Sequence, residues 1–328
     1  MERDLTLAIC IYNAEQYIEE TLQSVMAQTM QDFHLLIVND CSTDNSVNKI
    51  HHFFKNNPRQ YELFFFKENK GIGYARHFAE RHATTKYMMF LDADDLLYPQ
   101  AIEKMYSKIK SDIDLMAVGC YLEYIDDKGK KIGGGIFLGE TTKDGFYTKA
   151  SKAKLIFMQP TAVYDREIAL SVGGYIIDGY PTGMPRYQDY CEDLDLWTRL
   201  SDLYNQGKAN IVIPEVLCKY RKASGLSSSS FNMSIKMRYT KQNLLRRRSG
   251  KCELTFIEFY DSLTKNEFKQ IKRGAAAADN LRNAVFYLRK LSLLNGVGCL
   301  IKSIWYKPGY IFDKIKSNSG IKRSNVQG

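Results

Sequence analysis

Short apolar runs alternate with segments of helical periodicity over the first 110 residues of the chain. The apolar runs predict buried strands at 5–11, 33–38, 63–66 and 88–91. The segments that follow them place apolar residues at helical spacing and predict helices at 14–28, 47–54, 74–82 and 99–109. Asn13 precedes the first helix and is expected to cap it. This alternation with short links predicts an α/β fold, in which a mostly parallel, Rossmann-like sheet has helices on both faces.

The pattern changes after residue 115. Two apolar runs, 115–125 and 131–137, flank the turn DDKGK and predict a β-hairpin. Further strands are expected at 156–164, 211–213 and 216–220. Pro214 separates the last two, because proline cannot donate a ladder hydrogen bond. Before these two strands, the stretch CEDLDLWTRL at 191–200 predicts a helix with an apolar face.

The serine-rich stretch 224–230 is the best candidate for a domain boundary. It separates an α/β domain, residues 1–225, from a basic C-terminal extension with helical periodicity. The predicted parts are two halves of the domain at about 1–112 and 113–225, the helical extension at 231–316 and a loose terminus at 317–328.

Charge is divided unevenly between the domain and the extension. From Lys236 onward the chain carries 20 Lys and Arg against 6 Asp and Glu, a net of +14, whereas residues 1–235 have a net charge of −5. Such a tail is expected to meet an anionic partner. Two interpretations stay open. The tail is either an interfacial helix on anionic lipid, or a helical appendage that packs on the domain and keeps its basic face in solvent.

Cysteine usage and the N-terminus indicate a reducing compartment. The seven Cys form no CxxC pair, which argues against a zinc site and a disulfide framework. The N-terminus has no signal-peptide layout, and no apolar run approaches the roughly 18–20 residues of a membrane span. The expected location is therefore cytoplasmic, with peripheral contact at the inner face of the plasma membrane if the tail binds lipid.

Polar side chains follow each of the first four predicted strands. They are Asn13, Asp40, Asn69 and Asp92. Because the carboxyl ends of parallel strands meet at one edge of a sheet, these residues are expected to share a cleft. The fourth strand ends in LDADD, and acids at this spacing suit a hard divalent cation that shares its shell with phosphates. The alternative is a solvated turn after a strand.

Four stretches, in order, carry a family resemblance. They are IYNAEQYIEETLQSVMAQTMQDFHLLIVNDCSTDNS, ENKGIGYAR, YMMFLDADD and CEDLDLW. Over about residues 4–225 the chain resembles an inverting family 2 glycosyltransferase of the GT-A fold, of the type that assembles bacterial surface polysaccharides. The resemblance implies transfer of a sugar from a nucleotide-diphosphate donor, with residues 1–112 binding the nucleotide and residues 113–225 the acceptor.

The resemblance also implies a nucleotide pocket. Its residues match Ile11, Tyr12, Asn13 and Asp40, with Arg76 near the diphosphate or the base. The chain departs from the family pattern at Cys10, where Pro is common, and at Asn39, where an acid is frequent. These departures leave the identity of the nucleotide base undetermined. A surface ion pair is the alternative role for Arg76.

The acids of LDADD match the DxD motif of the family. Asp94 is the expected ligand of Mn²⁺ or Mg²⁺, and Asp92 is expected to hold the ribose or a metal-bound water. Asp95 either helps them or caps the next helix. Related enzymes often add a late His ligand, but all five His of this chain lie at or before position 82. Phosphate and water would then complete the shell.

The acids of CEDLDLW match the family's acceptor-side motif. By resemblance, Asp193 is the catalytic base and Glu192 a possible helper. A raised pKa in a partly dry cleft would suit that base. The alternative is that both acids only favour the N-terminus of their helix. A single base opposite the leaving group implies one displacement and inversion at the anomeric carbon.

The sequence thus favours an inverting glycosyltransferase that moves a sugar, expected to come from a UDP-sugar, to a hydroxyl of a glycan or lipid-linked glycan. Two other classes remain as alternatives. A nucleotidyltransferase of sugar metabolism would also need acids and a metal, and a basic nucleic-acid binder would use the tail. No RNA- or DNA-binding motif supports the latter, so no nucleic-acid partner is expected.

Overall fold

The computed structural model describes residues 3–222, 229–289 and 292–315. They fall into two compact units. The first comprises Met1–Ser224 and Thr240–Glu253, and the second comprises Gly225–Tyr239 and Leu254–Gly328. Residues 240–253 of the predicted extension thus group with the first unit. Most of the serine-rich stretch and the whole predicted loose terminus lie outside the described residues.

The first half of the first unit is the predicted β–α alternation. Its strands are β1 (Leu5–Ile11), β2 (His34–Asn39), β3 (Glu62–Phe65) and β4 (Tyr87–Asp92), which pair in parallel in the order β3-β2-β1-β4. Its helices are α1 (Ile18–Met26), α2 (Ser46–Asn56), α3 (Ile72–His82) and α4 (Ala101–Lys110). β1 is buried along its whole length because helices cover both faces of the sheet. A two-residue strand, β5 (Leu96–Leu97), follows the acids and was not predicted.

The second half extends the same sheet with mixed pairing. Its strands are β6 (Leu115–Ile125), β7 (Lys131–Ile136), β8 (Val163–Asp165) and β9 (Ala209–Arg221). β8 lies antiparallel between β4 and β6, while β9 runs parallel to β6 and pairs with β5. The helices of this half are α5 (Lys143–Ser151), α6 (Arg166–Ser171) and α7 (Glu192–Leu200). The mixed α/β architecture confirms the predicted fold class.

Two strand predictions were wrong in detail. The strand expected at 156–164 is limited to Val163–Asp165. The two strands expected around Pro214 are one continuous strand, β9. The pairing of β9 with β6 jumps from Ile213 to Val216, so Pro214 lies in a bulge where its missing N–H costs no ladder bond.

The described residues of the second unit form helices joined by short links. The helix α8 (Ser230–Arg248) begins in this unit, and α9 (Phe256–Ser262), α10 (Lys265–Arg289) and α11 (Leu293–Tyr306) follow. Thr255 and Glu258 form a capping box that starts α9. The hydroxyl of Ser303 on α11 donates to the carbonyl of Ala277 on α10 at 2.8 Å. Within the described ranges, every helix is too short or too polar to cross a lipid bilayer.

Candidate active site

The strand ends that were expected to meet lie side by side at the carboxyl edge of the sheet. Cys10 of β1 is in register with Asp92 of β4. The backbone N–H of Asp40 donates to the carbonyl of Ile11 at 2.9 Å, which brings the end of β2 to the end of β1. The ends of these strands therefore adjoin, while the expected cleft and the binding roles of these residues stay predictions.

Asp40 fastens a neighbouring loop. Its two carboxylate oxygens accept from the backbone N–H groups of Lys70 at 2.7 Å and Gly71 at 2.8 Å. Burial raises its pKa, and these two donors act in the opposite direction. The residue is buried, and its carboxylate holds this loop next to the end of β2.

The residues after β1 hydrogen-bond to the loop that follows β2. Asn13 has a left-handed backbone, with φ of 49°, and its Oδ1 accepts from the backbone N–H of Thr43 at 2.8 Å. The expected cap of the next helix was wrong, because α1 begins only at Ile18 and its N-cap is Tyr17. Tyr12 is half exposed, so its ring is open to a ligand at the edge of the sheet.

Arg76 is a buried bridge between two acids. Its guanidinium donates to Asp92 and to Glu192, both at 2.5 Å, and its side chain is only 4% exposed. Burial alone lowers the pKa of Arg76, but these carboxylates outweigh it and hold the pKa well above its usual value. The alternative of a surface ion pair was wrong, because the pair is enclosed.

Glu192 and Asp193 begin α7 immediately after Cys191, whose left-handed φ of 51° turns the chain into the helix. Burial raises the pKa of Glu192 to about 8, against the opposing charge of Arg76. Burial likewise raises the pKa of Asp193, and Arg76 again opposes it. A carboxylate with a raised pKa accepts a proton more readily near neutral pH, which is the property that the expected base requires.

Asp94 and Asp95 differ in their surroundings. Burial and the nearby charge of Asp92 raise the pKa of Asp94 to about 6. Asp95 is 1% exposed, and its Oδ1 accepts from the backbone N–H of Arg221 at 2.8 Å. The alternative of a helix cap at Asp95 was wrong, because Gln100 is the N-cap of α4. Asp95 instead ties the acidic turn to the end of β9.

The acids fit a divalent cation as part of its shell. Across residues 3–222, 229–289 and 292–315, no group of three or more His, Cys, Asp or Glu side chains is placed to hold a metal ion. Asp92 and Asp94 supply hard oxygen donors, and no other described side chain donates to the Asp94 carboxylate. Such a pair suits Mg²⁺ or Mn²⁺ that gains its remaining ligands from phosphate and water.

Sequence reasoning missed the residue that holds the loop before α7 against the start of α3. Asp189 accepts from the backbone N–H of Gly73 at 2.9 Å and from Arg186 Nε at 2.9 Å. A Cβ at Gly71 would lie 2.1 Å from Asp189 Oδ2, so only glycine allows this approach. The glycines of KGIG are the signal that could have indicated a close partner, but nothing in the sequence names Asp189 as that partner.

A second missed residue is Arg221 at the end of β9. Its Nε donates to the carbonyl of Asp94 at 2.8 Å, and its Nη2 lies 2.6 Å from Glu20 Oε2. Neither contact could be predicted, because 127 and 201 positions separate the partners along the chain.

Comparison with known proteins agrees with this architecture. The chain is 28% identical to an uncharacterized glycosyltransferase of Haemophilus influenzae, over 70% of this chain and 68% of that protein. It is 40% identical to the teichoic acid poly(glycerol phosphate) polymerase of Staphylococcus epidermidis, over 34% of this chain but only 16% of that protein. The crystal structure of S. aureus TarS 1–349 in complex with UDP-GlcNAc superposes with a TM-score of 0.54 at 19% identity and covers 90% of both chains, which shows a common fold.

A protein-family model matches about half of the chain. The model of glycosyl transferase family 2 matches residues 6–170, just over half of the chain, and these residues hold β1 to β8, Arg76 and the LDADD acids. The chain therefore belongs to glycosyl transferase family 2 and is a glycosyltransferase with the GT-A fold.

Proposed function

We propose that this enzyme transfers a sugar from a nucleotide-diphosphate-sugar, in the first instance a UDP-sugar, to a hydroxyl of a glycan or lipid-linked glycan. The observation that carries the proposal is the Arg76 bridge, because it joins the acids expected at the leaving group to the acids expected at the acceptor. Membership of a glycosyltransferase family favours this function over nucleotidyl transfer and over nucleic-acid binding.

Asp193 is the proposed base. As the acceptor oxygen forms a bond to the anomeric carbon, the bond from that carbon to the diphosphate oxygen breaks, and the acceptor proton passes to the Asp193 carboxylate. One displacement inverts the configuration, so an α-linked donor yields a β-linkage. The raised pKa of Asp193, caused by burial, supports this role because it brings the base closer to the working pH.

Asp94 and Asp92 are the proposed holders of Mn²⁺ or Mg²⁺. When bound, the cation would offset the negative charge that grows on the departing diphosphate. Arg76 holds one oxygen of Asp92 and thereby orients that carboxylate. On the nucleotide side, Tyr12 and Asp40 are the proposed neighbours of the base, together with Ile11 and Asn13 at the end of β1.

The S. aureus TarS complex holds UDP-GlcNAc, and the S. epidermidis relative is named as a teichoic acid polymerase. The first title supports a UDP-sugar donor and the second name supports a role in bacterial cell-surface polysaccharide assembly, and we propose both for this chain on that basis. A cytoplasmic enzyme at the inner face of the plasma membrane would meet such a donor and a lipid-linked acceptor.

Peripheral membrane contact through α11 is part of this proposal. One face of α11 exposes large apolar side chains, including Leu294, Ile301 and Trp305, and the exposed Lys302 and Lys307 lie beside it. Apolar side chains flanked by lysines suit the headgroup region of an anionic bilayer. The arginines in the last turn of α8 contribute less, because Arg247 and Arg248 both pair with Asp202.

The donor class is tested by thermal shift with a panel of UDP- and GDP-sugars, each with Mn²⁺, with Mg²⁺ and with EDTA. We expect one UDP-sugar to raise the melting temperature only when a divalent cation is present, since binding to the native state stabilises it. Stabilisation by no nucleotide sugar in the panel would contradict the proposed donor class. Stabilisation that persists in EDTA would contradict the role of the acids.

A further inference from the structure

Arg221 is enclosed at the point where β9 ends. Its side chain has no exposed surface. A buried guanidinium is costly unless its N–H groups are paired, and here each of its three nitrogens donates to an oxygen. Its Nε donates to the Asp94 carbonyl at 2.8 Å, Nη1 to the Asp126 carbonyl at 2.8 Å, and Nη2 to Glu20 Oε2 at 2.6 Å. Its guanidinium carbon lies 4.4 Å from the centre of the Tyr17 ring.

These contacts join three segments that are distant in sequence. Asp94 belongs to the acidic turn after β4, Asp126 to the turn between β6 and β7, and Glu20 to the first turn of α1. Lysine could not replace this arrangement, because an ammonium lacks the planar fork that reaches two carbonyls and a carboxylate at once.

The backbone of the acidic turn is tied at successive carbonyls. The hydroxyl of Thr21, with its single proton, lies 2.9 Å from the carbonyl oxygen of Ala93 and 3.0 Å from that of Asp95, and Arg221 holds the carbonyl of Asp94 between them. The carboxylate of Asp95 accepts from the backbone N–H of Arg221, and the N–H of Asp95 donates to the Asp92 carbonyl. The peptide groups of the turn are held in this way, whereas the Asp94 carboxylate accepts no hydrogen bond from another described side chain.

We infer that Arg221 is a positioning residue, which holds the Asp94 peptide so that the carboxylate is aimed at the diphosphate and its cation. The inference rests on the proposed role of Asp94. Preorganisation of this kind matters because a ligand misplaced by about 1 Å loses much of its contribution. Arg221 also couples the acidic turn to α1 and to the β6–β7 turn, which border the same end of β9.

The test compares Arg221→Lys with Arg59→Lys. Arg59 is a matched control: its guanidinium also donates to backbone carbonyls, those of Gln31 and Phe33, and also stacks on a ring, that of Phe33 at 4.0 Å. It lies between α2 and β3, at the amino end of β3, whereas the acids follow the carboxyl end of β4. Three quantities are measured in the full chain: amide hydrogen exchange over residues 92–97, affinity for UDP with Mn²⁺ by calorimetry, and the melting temperature.

We expect Arg221→Lys to speed exchange over residues 92–97 and to weaken UDP binding with Mn²⁺ by about 10- to 100-fold, the usual effect of losing a partner that orients a ligand. Arg59→Lys should leave both unchanged, even where the two variants lose similar thermal stability. Unchanged exchange and unchanged affinity in Arg221→Lys would overturn the inference. If the wild-type chain binds no UDP, the donor proposal fails. Faster exchange over residues 92–97 in Arg221→Lys would still show that Arg221 holds the acidic turn, so the two failures can be told apart.

Discussion

The guanidinium of Arg76 lies 2.5 Å from the carboxylate of Glu192, although 116 positions separate the two residues in the chain. The same guanidinium holds Asp92 at 2.5 Å. One buried cation therefore links the acids after β4 to the acids that begin α7. The arrangement places the proposed cation-binding side chains and the proposed base on either side of a single fixed charge.

Arg76→Met should be strongly destabilising, because it leaves Asp92 and Glu192 without their shared cation in a mostly enclosed site. We expect the free energy of unfolding of the first unit to fall by roughly 3 kcal/mol, as for other broken buried pairs. Urea denaturation measures this. Arg81→Met on the same helix is the control; its side chain is 41% exposed, so its loss should cost at most about 1 kcal/mol. Equal effects of the two variants would contradict the bridge.

Asp94 should cost stability at neutral pH. Its pKa is raised to about 6 by burial and by Asp92, so the folded state holds this proton more tightly than the unfolded state does. Stability is therefore highest below the ordinary aspartate pKa and falls as the pH rises towards 6. Asp94→Asn removes this penalty, and it should be more stable than the wild type at pH 7 by at most about 2 kcal/mol.

The comparison is made by urea unfolding of both proteins at pH 4 and pH 7 without divalent cations. The advantage of Asp94→Asn should shrink at pH 4. If Asp94→Asn is less stable than the wild type at pH 7, the charged Asp94 carboxylate does not lower the free energy of unfolding, and the prediction is contradicted.

Gly73→Ala should disturb the loop that leads into α7. A Cβ at this position would lie 2.6 Å from the Gln188 carbonyl and 3.1 Å from Asp189 Oδ1, so the docked turn must move. We expect a loss of about 1–3 kcal/mol of stability, in the range of overpacked cores, together with slower transfer. Gly274→Ala in α10 meets no atom within 4 Å, and it should be neutral or stabilising by up to about 1 kcal/mol. Chemical denaturation of both variants decides between these outcomes, and a neutral Gly73→Ala would contradict the close docking.

Ile301→Asp should weaken binding to anionic vesicles, because it puts a carboxylate on the apolar face of α11. Flotation with phosphatidylglycerol vesicles at low and high salt measures this, and wild-type binding should fall as salt screens the lysines. Ile113→Asp is the control; Ile113 is a similarly exposed isoleucine in the first unit, at 86% against 61% for Ile301. Equal binding by wild type and Ile301→Asp would favour the packed appendage that the sequence left open.

Local patterns were sufficient to predict the sheet and the acids at its edge. Buried strands such as β1 and β4 are continuous apolar runs, and the acids of LDADD follow β4 directly. The extent of β9 was mispredicted, because Pro214 is a strand breaker by local rules and only the pairing with β6 shows the bulge that accommodates it.

Long-range partners explain most of what the sequence did not reveal. Asp95 and Asn13 are good helix-capping residues by type, and both instead bond to distant backbone: Asp95 to the N–H of Arg221 and Asn13 to the N–H of Thr43. Likewise, the importance of Asp189 depends on its contact with Gly73, 116 positions away. Such choices follow from tertiary packing and are not encoded in local propensity.

The most direct test of the account is sugar transfer by Asp193→Asn, with the UDP-sugar that the thermal-shift panel selects and a lipid-linked glycan extract as acceptor. An amide cannot accept the acceptor proton, so product formation should fall by about 10²–10⁴-fold, the usual contribution of a general base. Donor binding should stay within about twofold of wild type. Asp144→Asn, which removes an exposed first-turn acid from α5, should transfer at the wild-type rate. Wild-type transfer by Asp193→Asn would contradict the central claim.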